Sequence, residues 1–305
     1  MVAAHGWHWR IPFASMGCPC VIQIEGAAEA DAVRAAHAAR AEVDRLNLKY
    51  SHYRDDSLLA KLQHDAAHTV VEVDDETANL LDFAATLHAQ SEGLFDITAG
   101  ALTRLWDGQQ GRVPDTDEIA QARRVIGWDL VLWDRPRLRL PFADMHLDLG
   151  GIVKEYAADR AAAICHELGI RHGMVDLGGD LAVIGAHVDG SAWRVGIKHP
   201  GDTSRALAQI EVASGGLATS GDYERALLVE GRRYSHILDP RSGAPIASFA
   251  SVSVLAPSCL VAGAAATLAM LLGCTVGAEY LRELGLVYLT VGQDGAVTGA
   301  TERGD

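Results

Sequence analysis

The same four residues occur twice in this chain, as Asp148-Leu149-Gly150-Gly151 and Asp176-Leu177-Gly178-Gly179, on either side of a segment of helical length. A Gly-Gly turn that opens a helix leaves backbone N–H groups unshielded by any Cβ, so a phosphate or other anion can approach the positive end of the helix dipole. Lys154 falls in the first turn of that helix and adds a formal positive charge within reach of the same anion. The second copy lies between the strand entry Gly173-Met174-Val175 and the apolar run Leu181-Ala182-Val183-Ile184, so its glycines read as a bend inside a sheet. Taken alone, each glycine pair also reads as an ordinary connecting turn.

Three further polar clusters fall in stretches that read as turns, where binding groups concentrate. Ala218 to Arg225 carries hydroxyls and a glycine that could donate to an anion. Arg233 to Arg241 contains Ser235, His236 and Asp239. Neighbouring residues on a strand point to opposite faces, which rules out Ser235 and His236 as a nucleophile and base pair and leaves His236 as a lone general base, oriented by Asp239, or as a core histidine. Ser258 and Thr267 flank or interrupt an otherwise apolar helix, and Thr267 reads as a metal or phosphate ligand or as a partner of its own helix backbone. Cys18-Pro19-Cys20 lacks a second Cys or His pair at ligand spacing and so does not read as a metal site.

These groups need a scaffold, and the apolar periodicity supplies one. Residues 13 to 24 read as a strand interrupted early at Met16-Gly17, and 27 to 46 as an amphipathic helix with Val33, Ala36, Val43 and Leu46 on one face. Asp56-Ser57 caps a short helix through Leu62, 70 to 73 is a short strand, and a helix runs from Asp74 to about Gln90, closed near Gly93. Helices follow at 99 to 106 and 116 to 126 across a polar loop at 108 to 115, then a hairpin around 130 to 133 and 138 to 140. His146 to Leu149 reads as a strand leading through the glycine turn into a helix, on which Ile152, Val153, Tyr156, Ala157, Ala161 and Ile164 recur at helical spacing. Beyond Gly185 the pattern is strand-rich, at 193 to 197, 206 to 212, 226 to 229 and 251 to 255, before helices at 259 to 272 and 276 to 284 and closing strands at 288 to 291 and 296 to 298. Helices early and strands late, without strict alternation, make α+β the expected class, as one domain or two lobes over 305 residues.

A net charge of −14 argues against sequence-independent nucleic-acid binding, which needs a basic surface. The first residues, interrupted by His8 and Arg10, carry no secretory pattern, and no run of 18 apolar residues exists to span a membrane. Five cysteines in apolar surroundings fit reduced thiols, so a cytoplasmic location is expected.

Met16-Gly17, Gly93 to Thr98 with Gly100, Asp148 to Lys154 with Tyr156-Ala157 and Asp159, Leu177 to Asp180, Ala218 to Arg225, Tyr234 to Pro240 with Gly243, and Ala256 to Ser258 with Thr267 and Gly273 together resemble the ApbE-type FAD:protein FMN transferases. The resemblance covers roughly 13 to 290 in the family's order. It implies a T-fold-like α+β fold with mixed and antiparallel sheets flanked by helices, a flavin cleft, FAD as substrate and Mg²⁺ for cleavage of its pyrophosphate. FMN would pass to a Ser or Thr hydroxyl of an acceptor protein, or FAD would be hydrolysed to FMN and AMP. The resemblance implies His236 as the base that deprotonates the acceptor hydroxyl. It places Met16, Tyr53, Leu94, Phe95, Asp96, Asp148, Lys154 and Ile237 around the nucleotide, and the Gly151 carbonyl and Thr267 at the metal.

The chain departs from that pattern at several positions. Where the family's helix reads Ala-Asp-Ala, with Thr four residues after the Asp, this chain has Ala262-Gly263-Ala264 and keeps Thr267. Mg²⁺ prefers carboxylates, so the alternative is a FAD-binding relative with impaired metal-dependent turnover, unless phosphates or an acid such as Asp222 compensate. On this reading Gly263→Asp raises Mg²⁺ affinity, with close packing at Gly263 as the competing account. Cys18 stands where Thr is common, Leu58 and Gln63 where Glu and Asn are common, and Glu155 where the family usually has Gly.

Overall fold

The computed structural model describes residues 8–106, 112–199, 202–222, 227–229 and 231–300. Strands β1 (His8–Ser15) and β2 (Cys18–Glu25) form a hairpin. Met16 and Gly17 reverse the chain at φ 51° and 71°, so the pair read as an early interruption of one strand is a full turn between two. Helix α1 (Glu29–Tyr50) buries Ala32, Ala36, Ala39, Val43 and Leu46, while Val33, expected on the same face, points outward. Helices α2 (Leu58–His68) and α3 (Asp75–Gln90) start where Ser57 and Asp74 accept hydrogen bonds from the N–H groups of Ala60 and Thr77. The short strand β3 (Val71–Glu72) lies between them, α4 (Gly100–Leu105) follows, and α5 (Thr116–Arg123) opens on a capping box of Asp115 and Glu118. Strands β4 (Leu132–Asp134) and β5 (Arg137–Arg139) complete a small sheet in the order β3-β5-β4.

Apart from one bridge between His146 and Ala99, residues 146 to 149 belong to no regular element, so the expected strand is absent there. Helix α6 (Val153–Glu167) leads into β6 (His172–Leu177) and β7 (Asp180–Gly185). Gly178 and Gly179, at φ 67° and 99°, make the tight β6-β7 turn that the second Asp-Leu-Gly-Gly suggests. Next come β8 (Trp193–His199), β9 (Asp202–Val212), β10 (Gly216–Gly221), β11 (Leu227–Val229), β12 (Arg232–Tyr234), β13 (Leu238–Asp239), β14 (Ala244–Pro245) and β15 (Ser251–Ala256). The chain closes with α7 (Cys259–Leu272), α8 (Cys274–Glu283), β16 (Val287–Val291) and β17 (Val297–Ala300).

Eight strands build the main sheet in the order β1-β2-β6-β7-β10-β15-β16-β17, and every pairing in it is antiparallel. The expected mixture of sheet types is therefore absent among the described strands. Ala182, Ala218, Val254 and Tyr288 on one face join the core with α1, α6 and α7. Their sequence neighbours Leu181, Leu217, Leu255 and Leu289 point the other way and meet Ile197, Ile210 and Val212 of the β8-β9 ribbon. The α+β class stands. Gly216 to Gly221, read as part of a turn, is a central strand held between β7 and β15, and its first residue is glycine where a Cβ would strike the Cys259 backbone at 2.2 Å.

Candidate active site

Two cavities of about 360 and 440 Å³ meet at a common wall of His52, Tyr53, Gly150 and Lys154. Each lies in the size range of small-molecule sites, roughly 300–1,000 Å³. The Asp148 segment forms that wall by its own hydrogen bonds. Asp148 Oδ1 accepts from the Gly150 N–H at 2.8 Å and lies 3.1 Å from His52 Nδ1. Burial opposes ionisation of Asp148, but these partners prevail and hold its carboxyl below the usual range. A Cβ on Gly150 would come within 2.9 Å of the same oxygen, so glycine permits the close turn. No side chain caps the start of α6, whose Val153 N–H bonds the Leu149 carbonyl at 2.9 Å, and Gly150, Gly151 and Lys154 around that helix start line the first cavity.

The second Asp-Leu-Gly-Gly turn delivers an acid to the same place. Asp180, at the first position of β7 and 2% exposed, pairs with Lys154 Nζ at 2.7 Å and accepts from the Thr219 N–H at 3.3 Å. Lys154 thus faces the cavity already engaged with a carboxylate. Glu155, the next residue of α6, is 8% exposed, and its Oε2 has no hydrogen-bond partner. Burial first, and then the negative charge of Asp180, push the Glu155 carboxyl well above the usual carboxylate range. Thr267 does not bond its own helix: its Oγ1 lies 2.8 Å from Ser220 Oγ, tying α7 to β10.

His236 is exposed and lines the cavity that also holds Lys154, Asp180 and Thr267. Ser235 is buried, with its Oγ accepting from the Ile237 N–H at 3.1 Å, in agreement with its exclusion as His236's nucleophile partner. Asp239 serves the turn instead, accepting from the Arg241 N–H at 2.8 Å. The segment is anchored by Trp106, whose Nε1 donates to the Gly243 carbonyl at 2.9 Å.

The structure brings together Tyr53, Asp148, Gly151, Lys154, His236, Ile237 and Thr267 around the first cavity and Met16 on the second. It does not bring Leu94, Phe95 or Asp96 to either wall. Leu94 and Phe95 are buried, with the Phe95 ring behind Gly151, and Asp96 accepts from both the N–H and the hydroxyl of Thr98 and from the Trp128 N–H. Of the three, Phe95 lies beneath the glycine turn, and Asp96 fixes the loop that carries it. Tyr223 to Arg225 of the Ala218–Arg225 cluster lie outside the described residues. Asp222 is occupied away from the cavity, 2.6 Å from Gln293 Nε2. Gln63 has a structural task, since its Oε1 accepts from the Leu147 N–H.

Sequence reasoning assigned no role to His52, Glu155 or Asp180, and it gave Thr219 and Ser220 only a general one as hydroxyls able to donate to an anion. The available signal for Glu155 was a coincidence of two departures, an unexpected acid at 155 and a missing one at 263. The structure brings the two positions into contact: a Cβ on Gly263 would lie 2.5 Å from Glu155 Cγ and 2.9 Å from its Oε1. The open position imagined for an aspartate at 263 is filled. Among the described residues no three His, Cys, Asp or Glu side chains form a metal-binding group, so a cation here would also rely on hydroxyl, carbonyl or ligand oxygens.

Comparison with known proteins places the whole chain. The chain is 32% identical over 255 residues to the FAD:protein FMN transferase of Salmonella typhimurium, covering 80% of this chain and 73% of that one. It is 35% identical over 242 residues to that of Vibrio cholerae, covering 76% and 72%. Among solved structures, the ApbE protein of Thermotoga maritima superposes with a TM-score of 0.89 at 30% identity, over 96% of this chain and 97% of that one. The flavin transferase ApbE from Vibrio cholerae gives 0.86 at 28% identity, over 97% of each. A model of the ApbE family matches residues 16–289, and the chain belongs to that family.

Proposed function

We propose that the chain is an FAD:protein FMN transferase, cleaving the FAD pyrophosphate with Mg²⁺ and passing FMN to a Ser or Thr hydroxyl of an acceptor protein, or to water. The observation that carries this reading is the meeting of an uncapped helix start, Lys154 and exposed His236 around one cavity. The α6 N–H groups and Lys154 suit the pyrophosphate oxygens, and the second cavity beyond Lys154 gives a dinucleotide room for its other half. Tyr53, half of a ring pair with His52 at 3.9 Å between centroids, offers a face for a planar base.

The donor set fits Mg²⁺, a hard cation: Gly151, Thr267 and Glu155, whose Oε2 is orphaned, line one cavity, and their carbonyl, hydroxyl and carboxylate oxygens would hold the ion. When bound, the ion neutralises charge on the pyrophosphate. The protein's own groups do the rest. An alcohol is a weak nucleophile at neutral pH, and His236 accepts its proton as the oxygen attacks the phosphorus of the FMN half. AMP leaves as the phosphoanhydride bond breaks, and Lys154 holds the phosphate charge in place throughout. A reducing location such as the cytoplasm is part of this reading, supported by five cysteines free of disulfides.

The test is incubation of the purified protein with FAD and Mg²⁺, following AMP by chromatography and covalent flavin fluorescence on added acceptor protein. AMP without acceptor identifies hydrolysis, and AMP with a fluorescent acceptor identifies transfer. Unchanged FAD under both conditions overturns the proposal.

A further inference from the structure

Glu155 and Gly263 interlock across the α6-α7 contact, and the result is a carboxylate delivered to the cavity from an unexpected helix. Any side chain at 263 would occupy the space of the Glu155 side chain, whose Cγ would lie 2.5 Å from the new Cβ. The glycine therefore lets Glu155 pass over α7 into the cavity. Thr267 is four residues further along the same helix, about one turn away on the same face. Its hydroxyl, that of Ser220 at 2.8 Å and the Gly151 residue line the same cavity.

The charges around this point do not balance. Glu155 and Asp180 are both buried, and Lys154 is ion-paired with Asp180 at 2.7 Å. Glu155 Oε2 is left without a hydrogen-bond partner inside a cavity wall. A buried carboxylate in this position needs a proton or a cation to compensate it. Its partners are oxygens, with no thiol or imidazole close enough to make a three-membered metal-binding group among the described residues. Such a donor set selects a hard divalent ion.

We propose that Glu155, reaching across from α6 over Gly263, supplies the protein carboxylate of a Mg²⁺ or Mn²⁺ site completed by Thr267 and the Gly151 carbonyl. This rests on the reading above that a divalent cation serves the reaction. It makes the loss of an acid at 263 and the gain of one at 155 a transfer of one ligand between facing helices, and the enzyme is then metal-competent as it stands.

Direct Mn²⁺ binding, measured by electron paramagnetic resonance on the full chain without FAD and again with FAD, tests this. Glu155→Gln keeps the shape and is expected to weaken Mn²⁺ at least about tenfold, while FAD affinity without divalent ions stays within a factor of a few. The exchange variant Glu155→Gly with Gly263→Asp is expected to recover most of the lost Mn²⁺ affinity, whereas Gly263→Asp alone lowers the melting temperature and gains none. Unchanged Mn²⁺ affinity in a folded Glu155→Gln, or no Mn²⁺ binding by the natural sequence in either state, overturns the assignment. Glu155-dependent Mn²⁺ binding without AMP release from FAD leaves this site standing and defeats the proposed reaction. Metal-dependent AMP release with full Mn²⁺ affinity in Glu155→Gln does the reverse.

Discussion

Lys154 faces both the cavity and Asp180, so removing its ammonium has two separable effects. Lys154→Ala is expected to weaken FAD by about 1.5–3 kcal/mol, the worth of a charged hydrogen bond, and also to lower the melting temperature by leaving Asp180 and Glu155 uncompensated. His236→Ala should leave FAD affinity within a factor of a few but slow transfer about 100- to 10,000-fold, as loss of a general base does. A flavin-fluorescence titration beside AMP kinetics checks the pair, and binding lost with His236 but kept without Lys154 would reverse the roles. At Gly263 even a methyl group is expected to destabilise by about 1–3 kcal/mol, despite alanine's better helix propensity, because Glu155 Cγ would lie 2.5 Å away. Adding Glu155→Gly should abolish that cost in denaturant titrations. Asp148, Lys154, His236 and Thr267 were legible because each sits in a local motif that survives in one sequence. Glu155 was not, because its meaning lies in a contact between two helices that no local pattern encodes. Asp96, which the resemblance placed around the nucleotide, lies on neither cavity wall, and its oxygens are bonded to Thr98 and Trp128.

At the scale of elements, α1, α3 and α6 are joined beside the site by one acid. Glu76 on α3 pairs with Arg45 and Lys49 of α1 at 2.7 Å each, and Tyr156 of α6 lies 3.3 Å from it. Burial opposes its ionisation, but Arg45 and Lys49 prevail and hold its carboxyl down at about 2 from an ordinary 4.5. The folded pKa is depressed, so the pair's stabilisation is complete above pH 4.5 and is lost as pH falls towards 2. Glu76→Gln should therefore melt below the natural sequence at pH 7, with the gap closing across that acid window in a series of melting curves. A constant gap would show the side chain acting by shape alone. Asp159 fastens α7 in a similar manner, accepting from the Cys259 and Leu260 N–H groups at 2.8 and 2.9 Å. Most helices were legible from apolar spacing and caps such as Ser57 and Asp74. The first part of β1, residues 8 to 12, was missed where Pro12, His8 and Arg10 dilute the alternation, and β10 because Gly216, Thr219, Ser220 and Gly221 carry turn chemistry. In both cases sheet partners override local propensity.

At the scale of the whole molecule, the two cavities joined at Lys154 suit a ligand of two halves. FAD at a hundredfold excess over its Kd is expected to stabilise the fold by about 2.7 kcal/mol, and at equal concentration to raise the melting temperature more than FMN does. Equal shifts would show that the second cavity contributes nothing. The α+β class was legible because runs of helix and strand segregate along the chain, but the all-antiparallel sheet was not, since strand order depends on pairings between distant segments. That order also bears on how the protein is made. The N-terminal hairpin enters the sheet through Cys20 opposite Leu177, so on the ribosome it must wait for more than half the chain before finding its neighbour. Met16 lies on that hairpin and Thr267 far downstream, so no nascent fragment ending before Thr267 holds both cavities, and a ligand that needs the two together must await that helix.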